Sequence, residues 1–194
     1  NLQIGRGYNF LYNCSEKNTI EKLKLLDSVI KYTKNDWIKE YDFPEKAYVN
    51  KANELRLQFK FNEAINNLLL AEKYCKEKKS EYIYWVYYYL AIIKSEDLGE
   101  TKEALKLKKK IYTFLIKNKN YKDYEILYNY ILFSLADSYK SLKITDSCKI
   151  YNNLGYKNSI YTNNPYYKNL FTLNEGANLV LQRKYKTAID SIAN

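Results

Sequence analysis

The chain has 194 residues, with 32 lysines and arginines against 22 aspartates and glutamates, which gives a formal net charge of +10. It contains no histidine, the commonest general base and metal ligand, and its three cysteines, Cys14, Cys75 and Cys148, have no metal-binding or redox spacing. This composition disfavours an enzyme, so we predict a non-enzymatic protein with no catalytic residues, no metal and no cofactor.

The excess of positive charge by itself suggests nucleic acid as a partner. The lysines are spread along most of the chain, however, and the clusters at residues 76–79 and 108–110 look like solvated helix ends. A nucleic-acid groove needs its charge on one face, so we predict no direct nucleic-acid binding by this chain. Direct binding through this charge is the alternative, and its affinity would fall steeply with salt. Since no apolar run approaches about 18 residues, we also predict no membrane span within the chain.

Residues 2–13 and about 19–33 form the first predicted helix pair. Asn18 and Glu21 have the spacing of an N-cap residue and the third helical residue, a pattern that satisfies free amides at a helix start. Apolar residues follow at helical spacing from Ile20 to Ile30. The segment therefore predicts a helix that begins after Asn18 and packs along one face.

Four further helix pairs follow. Pro44 and Pro165 each fit the first turn of a helix, where a missing N–H is tolerated. The tyrosine-rich segment from Tyr82 to Tyr89 has a strand-like composition, but the spacing of its apolar residues favours a helix. Because the last pair is cut short, we expect the chain to be a fragment of a longer protein. The pairs run from Pro44 to about Lys78 with a turn near Lys60, from about Glu81 to Asn118 with a turn at Gly99, from about Asp123 to Lys157 with a turn around Lys143-Ile144-Thr145, and from Pro165 through a turn at Arg183-Lys184 to Asn194.

Small residues recur in the second helix of each of these four pairs, at intervals of 40, 44 and 40 residues. Self-similarity at a fixed period predicts stacked helical hairpins, because one hairpin cannot bury its apolar face alone. Cys148 takes the place that alanine holds in the other pairs, so we expect a small buried hydrophobe there. The recurring positions are Ala64, Ala104, Cys148 and Ala188, and their counterparts in the first helices are Ala52, Ile92, Ala136 and Gly176.

Aligned on these positions, the pairs resemble tetratricopeptide repeats over about residues 45–194. The resemblance implies an all-α fold, a right-handed superhelical array of about five antiparallel helix pairs that forms a single domain over residues 1–194. The sequence departs from the family at Phe59 and Lys143, which stand where a turn glycine is usual, and at the bulky Ile92. Its period is also longer than that of the family, which is about 34 residues.

Several segments have a characteristic local sequence: Leu25-Leu26-Asp27-Ser28-Val29-Ile30 with Ala47-Tyr48-Val49-Asn50-Lys51-Ala52, Leu135-Ala136-Asp137-Ser138-Tyr139 with Asp146-Ser147-Cys148, and Ala188-Ile189-Asp190-Ser191. They resemble the repeat region of Bacteroidetes transcription regulators with a C-terminal AraC-type helix-turn-helix. This resemblance implies that the chain is a peptide- or protein-binding sensor region in the periplasm. The parent protein would be anchored in the inner membrane, and its DNA-binding domain would lie outside this chain. A stand-alone scaffold or adaptor, or a cytoplasmic location, is the alternative.

In tetratricopeptide arrays the first helices line a concave groove for a peptide or protein partner, and we expect that the array could also form a homodimer. Lys46, Asn53 and Arg56 carry donors one and two turns apart, so they could hold a carboxylate, with ordinary surface salt bridges as the alternative. Acidic residues near helix ends, such as Glu96, fit capping better than acid–base catalysis. The positions that correspond to the family's groove are Lys46, Val49, Asn53 and Arg56, then Tyr89, Ile93 and Glu96, then Tyr130, Phe133, Asp137 and Lys140, and finally Leu170, Leu173 and Ala177.

Overall fold

The computed structural model describes residues 1–16, 18–35, 42–117 and 125–193. All regular secondary structure in these residues is helical, which confirms the predicted all-α class. A five-residue π-helical turn, Ile93–Asp97, continues directly from α5. The helices are α1 Leu2–Asn13, α2 Thr19–Thr33, α3 Glu45–Leu57, α4 Phe61–Lys78, α5 Ile83–Ile92, α6 Thr101–Lys117, α7 Glu125–Ser141, α8 Thr145–Tyr161, α9 Pro165–Leu181 and α10 Tyr185–Ala193.

Most predicted helix boundaries agree with the structure. The side chain of Asn18 accepts a hydrogen bond from the Glu21 amide at 3.1 Å, which confirms the predicted N-cap of α2. The tyrosine-rich segment is helical, although α5 begins at Ile83, two residues later than predicted. Helix α8 runs to Tyr161, past its predicted end at Lys157. The predicted boundaries at residues 118, 123 and 194 lie outside the described residues.

The chain divides into two compact units, Asn1–Leu98 (unit 1) and Gly99–Asn194 (unit 2). In unit 1, each helix from α1 to α5 packs against the next one in the chain. In unit 2, α6 to α10 do the same, and α7 also contacts α9. Packing between sequence neighbours within each unit is typical of helical-repeat proteins. None of the helices in the described residues is both long enough and apolar enough to span a bilayer.

The same hydrogen-bonded turn ends five of the helices. After α3, the amide of Lys60 donates to the carbonyl of Leu55 at 3.0 Å and the amide of Phe59 donates to the carbonyl of Arg56 at 2.9 Å. This pair of bonds is a Schellman motif, which requires one residue in the left-handed conformation. Short turns of this kind make consecutive helices antiparallel. The left-handed residues are Phe59 (φ 61°), Lys79 (φ 55°), Lys143 (φ 58°), Asn163 (φ 50°) and Arg183 (φ 60°).

These turns explain two departures from the repeat family. Phe59 and Lys143 adopt the left-handed conformation that a turn glycine would adopt. Gly99, at the predicted turn of the third helix pair, also adopts the left-handed conformation, with φ +70°. In unit 2, α8, α9 and α10 begin 20 residues apart at Thr145, Pro165 and Tyr185, so equivalent helices recur every 40 residues, the interval that separates Cys148 and Ala188.

The recurring small residues lie in the core. Ala64, Ala104, Cys148 and Ala188 are all buried, which confirms the prediction that Cys148 acts as a small buried residue. In unit 2 it packs in a cluster with Ala136 of the preceding helix. Small side chains at these positions let neighbouring helices approach closely, as the repeat pattern predicts.

Two lysines that looked like solvated helix ends are buried, so the prediction was wrong for Lys78 and Lys108, which are 3% and 5% exposed. Lys78 Nζ lies 3.3 Å from Glu45 Oε2 and also donates to the carbonyl of Phe43. Lys108 Nζ donates to Ser138 Oγ at 2.9 Å. Charge alone misleads here because both lysines share a helix face with core residues. The signal was present in the spacing, since Ala71, Cys75 and Lys78 follow one another at helical intervals, as do Ala104, Lys108, Ile111 and Leu115.

Candidate peptide-binding surface

In unit 1 the predicted groove residues are largely committed to the fold. Arg56 Nε donates to Asp97 Oδ2 at 2.5 Å and Arg56 Nη2 donates to Glu96 Oε2 at 2.9 Å. The hydrogen bond to Asp97 is the main cause that raises the pKa of the Arg56 guanidinium, and the bond to Glu96 raises it further. Val49 and Ile93 are buried in the core, so they offer no surface to a ligand. The structure therefore favours the salt-bridge interpretation of Arg56 over a carboxylate clamp.

Two successive carboxylates reach the same guanidinium from the π-helical turn. Glu96 and Asp97 are adjacent in this turn, which is closed by the bond from the Leu98 amide to the Ile93 carbonyl at 3.0 Å, and both contact Arg56. The sequence pattern did not predict this turn. The other predicted positions of this unit, Lys46, Asn53 and Tyr89, are partly buried.

In unit 2 two of the predicted residues of α7 contact α9, at residues that were not predicted. Lys140 Nζ lies 2.8 Å from Asp137 Oδ1 on its own helix and 2.6 Å from Asn174 Oδ1 on α9. The ring of Phe133 meets the ring of Phe171 edge-on, with the centroids 5.9 Å apart. Tyr130, on the same helix, is partly buried. The predicted α7 row therefore runs directly alongside α9.

One face of α9 carries a row of apolar residues along the helix. Leu173 is 54% exposed, Tyr166 is 66% exposed and Val180 is 47% exposed. Leu170 and Ala177 lie between them and are partly buried. Residues three, four and seven apart share one face of a helix, so these five form a continuous row, which we call the α9 stripe.

One charged pair borders the α9 stripe. Asn174 directly follows Leu173, so its hydrogen bond to Lys140 places that ammonium group at the edge of the stripe. Asp137 is ion-paired with the same ammonium group and is partly exposed. A ligand on this surface would therefore meet an apolar row, a hydrogen-bond donor and an acceptor.

Buried asparagines hold the border of the stripe in place. Asn174 Nδ2 donates to Asn152 Oδ1 on α8 at 3.1 Å, and Asn152 Nδ2 donates to the carbonyl of Phe171 at 2.9 Å. Both asparagines are almost fully buried. This arrangement fixes the position of the Asn174 amide, whose oxygen accepts the hydrogen bond from Lys140. The sequence pattern did not predict it, although asparagine inside a helix is a signal, because it forms helices poorly unless its side chain has a specific partner.

Helices α8 and α9 approach closely at a glycine. A Cβ atom placed on Gly155 would lie 2.0 Å from Cζ of Phe171, too close for any real contact. The Phe171 ring, which is fully buried, therefore occupies the space that any larger residue at position 155 would fill. Glycine destabilises the interior of a helix, so it is expected there only where close packing requires it. Gly155 was therefore a second signal in the sequence.

The described residues contain no group of three or more histidine, cysteine, aspartate or glutamate side chains that could hold a metal ion. Cys14 is exposed, whereas Cys75 and Cys148 are buried, and all three are free thiols. Comparison with protein-family models, with curated proteins and with solved structures finds no match to this chain.

Proposed function

We propose that the chain is a non-enzymatic helical-repeat region that binds a peptide or protein segment on the α7–α9 surface of unit 2. In this proposal its helix pairs form the right-handed array of tetratricopeptide proteins. The observation that carries the proposal is the exposure of Leu173, Tyr166 and Val180 in one continuous row on α9. This helix packs against α7, α8 and α10, yet these three apolar side chains of the stripe remain largely exposed.

The chemistry of the surface indicates the kind of segment that would bind. Apolar side chains of the ligand would cover the α9 stripe, because an exposed apolar row of this kind gains most from burial against another apolar surface. The Lys140 ammonium group at its edge would donate a hydrogen bond to a backbone carbonyl or a carboxylate of the ligand. We therefore expect the preferred ligand to be an amphipathic segment with apolar residues at helical spacing and an acidic residue beside them.

We further propose that this capture acts as the sensor step of a transcriptional regulator whose DNA-binding domain lies outside the chain. The support is the resemblance of the segments around Asp27 and Asp137 to the repeat region of AraC-type regulators. The sensor region would then lie in the periplasm, as part of an inner-membrane protein. A stand-alone scaffold would bind a partner through the same surface without any effect on transcription.

Selection of a displayed peptide library on the full chain tests the binding proposal. We expect the selected peptides to combine apolar residues at helical spacing with an acidic residue. Substitution Leu173→Asp should weaken their binding at least about tenfold, because a buried carboxylate on the stripe would lack a partner. The matched control is Ile150→Asp, which places the same charge at an exposed apolar site on α8. Failure to enrich any peptide, or equal binding by Leu173→Asp, would contradict the proposal.

The regulatory part needs a second experiment, a reporter for transcription controlled by the parent protein. Phe133→Ala and Leu173→Asp should each alter the reporter response, whereas Ile150→Asp should leave it intact. Unchanged regulation by both of the first two variants, alongside intact peptide binding by the unmodified chain, would leave the scaffold as the function.

A further inference from the structure

A second candidate site lies in unit 2, on a different side of α9 from the α9 stripe. It is a cleft of about 220 Å³ between α8, α9 and α10. Small-molecule pockets usually have volumes of about 300–1,000 Å³, so this cleft fits a group the size of one side chain. The polar residues that line it are Asn152, Asn153 and Tyr156 from α8, Thr172 and Glu175 from α9, and Ser191 from α10.

Two hydroxyl groups in the cleft, those of Thr172 and Ser191, already donate their protons within the protein. Thr172 Oγ1 donates to the carbonyl of Lys168 at 3.0 Å, and Ser191 Oγ donates to the carbonyl of Ala188 at 2.8 Å. Each hydroxyl has a single proton, so both oxygens offer only lone pairs to a ligand. The cleft therefore presents hydrogen-bond acceptors from two of its helices.

Glu175 adds a negative charge to these acceptors. Its Oε2 receives one long hydrogen bond, from Asn152 Nδ2 at 3.5 Å. The described residues that line the cleft include no lysine or arginine, although the chain carries a net charge of +10. The carboxylate thus retains most of its capacity to accept hydrogen bonds from a ligand.

We propose that this cleft binds the guanidinium group of an arginine side chain. A guanidinium group has five N–H donors in one plane, which suits a carboxylate flanked by two further acceptors on different helices. Its flat face can stack on an aromatic ring, and Tyr156 supplies a partly buried ring in the wall of the cleft. An ammonium group has fewer donors and no flat face, so the cleft discriminates against lysine.

The test is a titration of the full chain, followed by amide NMR signals, with N-acetyl-arginine methylamide as the probe. The corresponding citrulline compound, which is neutral and nearly the same shape, and the lysine compound are the control ligands. We expect saturable shifts confined to α8, α9 and α10 with the arginine probe, and binding at least about tenfold weaker for citrulline, because the charge-assisted bonds are lost. Equal affinity for citrulline, equal affinity for lysine, or shifts outside these helices would overturn the proposal.

Protein variants locate the site. Glu175→Gln should weaken binding of the arginine probe at least about tenfold, and Ser191→Ala about two- to tenfold, because it removes one neutral acceptor. Glu63→Gln, at an exposed glutamate of α4 in unit 1, is the matched control and should change nothing. Circular dichroism establishes whether each variant is folded. If Glu175→Gln does not fold, Ser191→Ala still tests the site. Unchanged affinity in folded variants at both positions would contradict the assignment.

Two further measurements separate the source of the guanidinium group and the two proposed sites. A blocked Ala-Arg-Ala peptide that binds more tightly than free arginine would identify an arginine within a polypeptide as the ligand. Tighter binding of free arginine would instead overturn the assignment to a side chain. Leu173→Asp should bind the arginine probe normally, so loss of peptide binding on the α9 stripe and loss of binding in the cleft can be told apart.

Discussion

Both units bury polar side chains between their helices, but unit 1 buries a charged pair between α3 and α4, whereas neutral amides join α8 and α9 in unit 2. In unit 1, Glu45 and Lys78 lie 3.3 Å apart and are both almost fully buried. In unit 2, Asn174 and Asn152 connect α9 to α8 through a hydrogen bond of 3.1 Å. Desolvation costs much more for a charge than for an amide, so the two arrangements place different demands on their surroundings.

The two arrangements also differ in whether their hydrogen bonds extend to a proposed binding site. Burial raises the pKa of the Glu45 carboxyl even though Lys78 opposes the shift, and its Oε1 is buried without a hydrogen-bond partner among the described residues. This pair is closed off and serves the fold. The amides of unit 2 instead extend from Lys140, at the edge of the α9 stripe, to Glu175, in the cleft. Buried polar groups in unit 2 thus support both proposed binding sites.

The largest effect should come from breaking the charged pair. Glu45→Gln should destabilise the protein by about 3–5 kcal/mol, because it leaves the Lys78 ammonium group buried without an opposite charge. Replacing both partners, as Glu45→Leu with Lys78→Met, should recover most of that loss. Urea unfolding followed by circular dichroism measures each free energy. Lys76→Met, at an exposed lysine of the same helix, is the control and should stay within about 0.5 kcal/mol. A loss below about 1 kcal/mol for Glu45→Gln would show that the pair is not buried as described.

Close helix approach gives the next effect and differs between the units. Gly155→Ala in unit 2 should cost about 1–3 kcal/mol, because its Cβ would overlap the Phe171 ring. Gly5→Ala in unit 1 would meet a single methyl group, Thr33 Cγ2 at 2.4 Å, and should cost less. Gly7→Ala meets nothing within 4 Å and should stabilise α1 by about 0.5–1 kcal/mol. Thermal unfolding of the three variants tests this order, and a stabilising Gly155→Ala would contradict the packing of α8 on α9.

The amide contacts of unit 2 should be worth less than the charged pair of unit 1. Asn174→Ala removes the partners of Asn152 and Lys140 and should cost about 1–3 kcal/mol. Asn153→Ala, at an exposed position on α8, should stay within about 0.5 kcal/mol. The measurement is urea unfolding under the conditions used for Glu45→Gln. If Asn174→Ala cost more than Glu45→Gln, the contrast between charged and neutral burial would be reversed.

The rate at which a thiol reagent modifies each cysteine can be compared for one buried cysteine from each unit. Burial raises the pKa of Cys75 in unit 1 to about 12 and that of Cys148 in unit 2 to about 11. A raised thiol pKa means that the folded state disfavours the thiolate, so stability from this source is present below the ordinary value and is lost as the pH rises toward 11 or 12. Near neutral pH, a thiol reagent should modify only the exposed Cys14 until the protein unfolds.

As the pH is raised, Cys75 and Cys148 should both stay unreactive while the protein is folded, because burial raises the pKa of each thiol. Mass spectrometry of the modified peptides identifies which cysteine has reacted. Cys14→Ser should remove the fast reaction and leave the other two unchanged. Equal rates for all three thiols in the folded protein would contradict the burial of Cys75 and Cys148.

The smallest effect concerns the turns. Arg183→Gly in unit 2 and Phe59→Gly in unit 1 should each stabilise the protein by about 0.5–1 kcal/mol, because glycine adopts the left-handed conformation without steric cost. Gly99→Ala is the opposite change at φ +70° and should destabilise by a similar amount. Differential scanning calorimetry can resolve these shifts. Destabilisation by both glycine substitutions would mean that their side chains make contacts that outweigh the conformational gain.

Much of the helical architecture follows from the sequence because its signals are local. The N-cap at Asn18 acts on an amide three residues away, and the turns at Phe59 and Lys143 depend on the few residues around them. The recurring small residues, such as Cys148, identify a buried face because a helix repeats every 3.6 residues. The N-cap and the turns depend on residues less than two helical turns apart, and the small residues are recognised by their recurrence along the chain, so one sequence suffices to predict them.

The candidate sites depend on which side chain lies opposite on another helix, and only the tertiary structure decided that. Lys78 reads as a solvated lysine until Glu45, 33 residues earlier, is placed beside it. Val49 and Ile93 fit a groove pattern until packing buries them. Asn174 and Asn152 are 22 residues apart and meet only when α9 packs on α8. Helical periodicity therefore determined which residues share a face, whereas contacts between helices determined which of those faces are core and which remain open to a ligand.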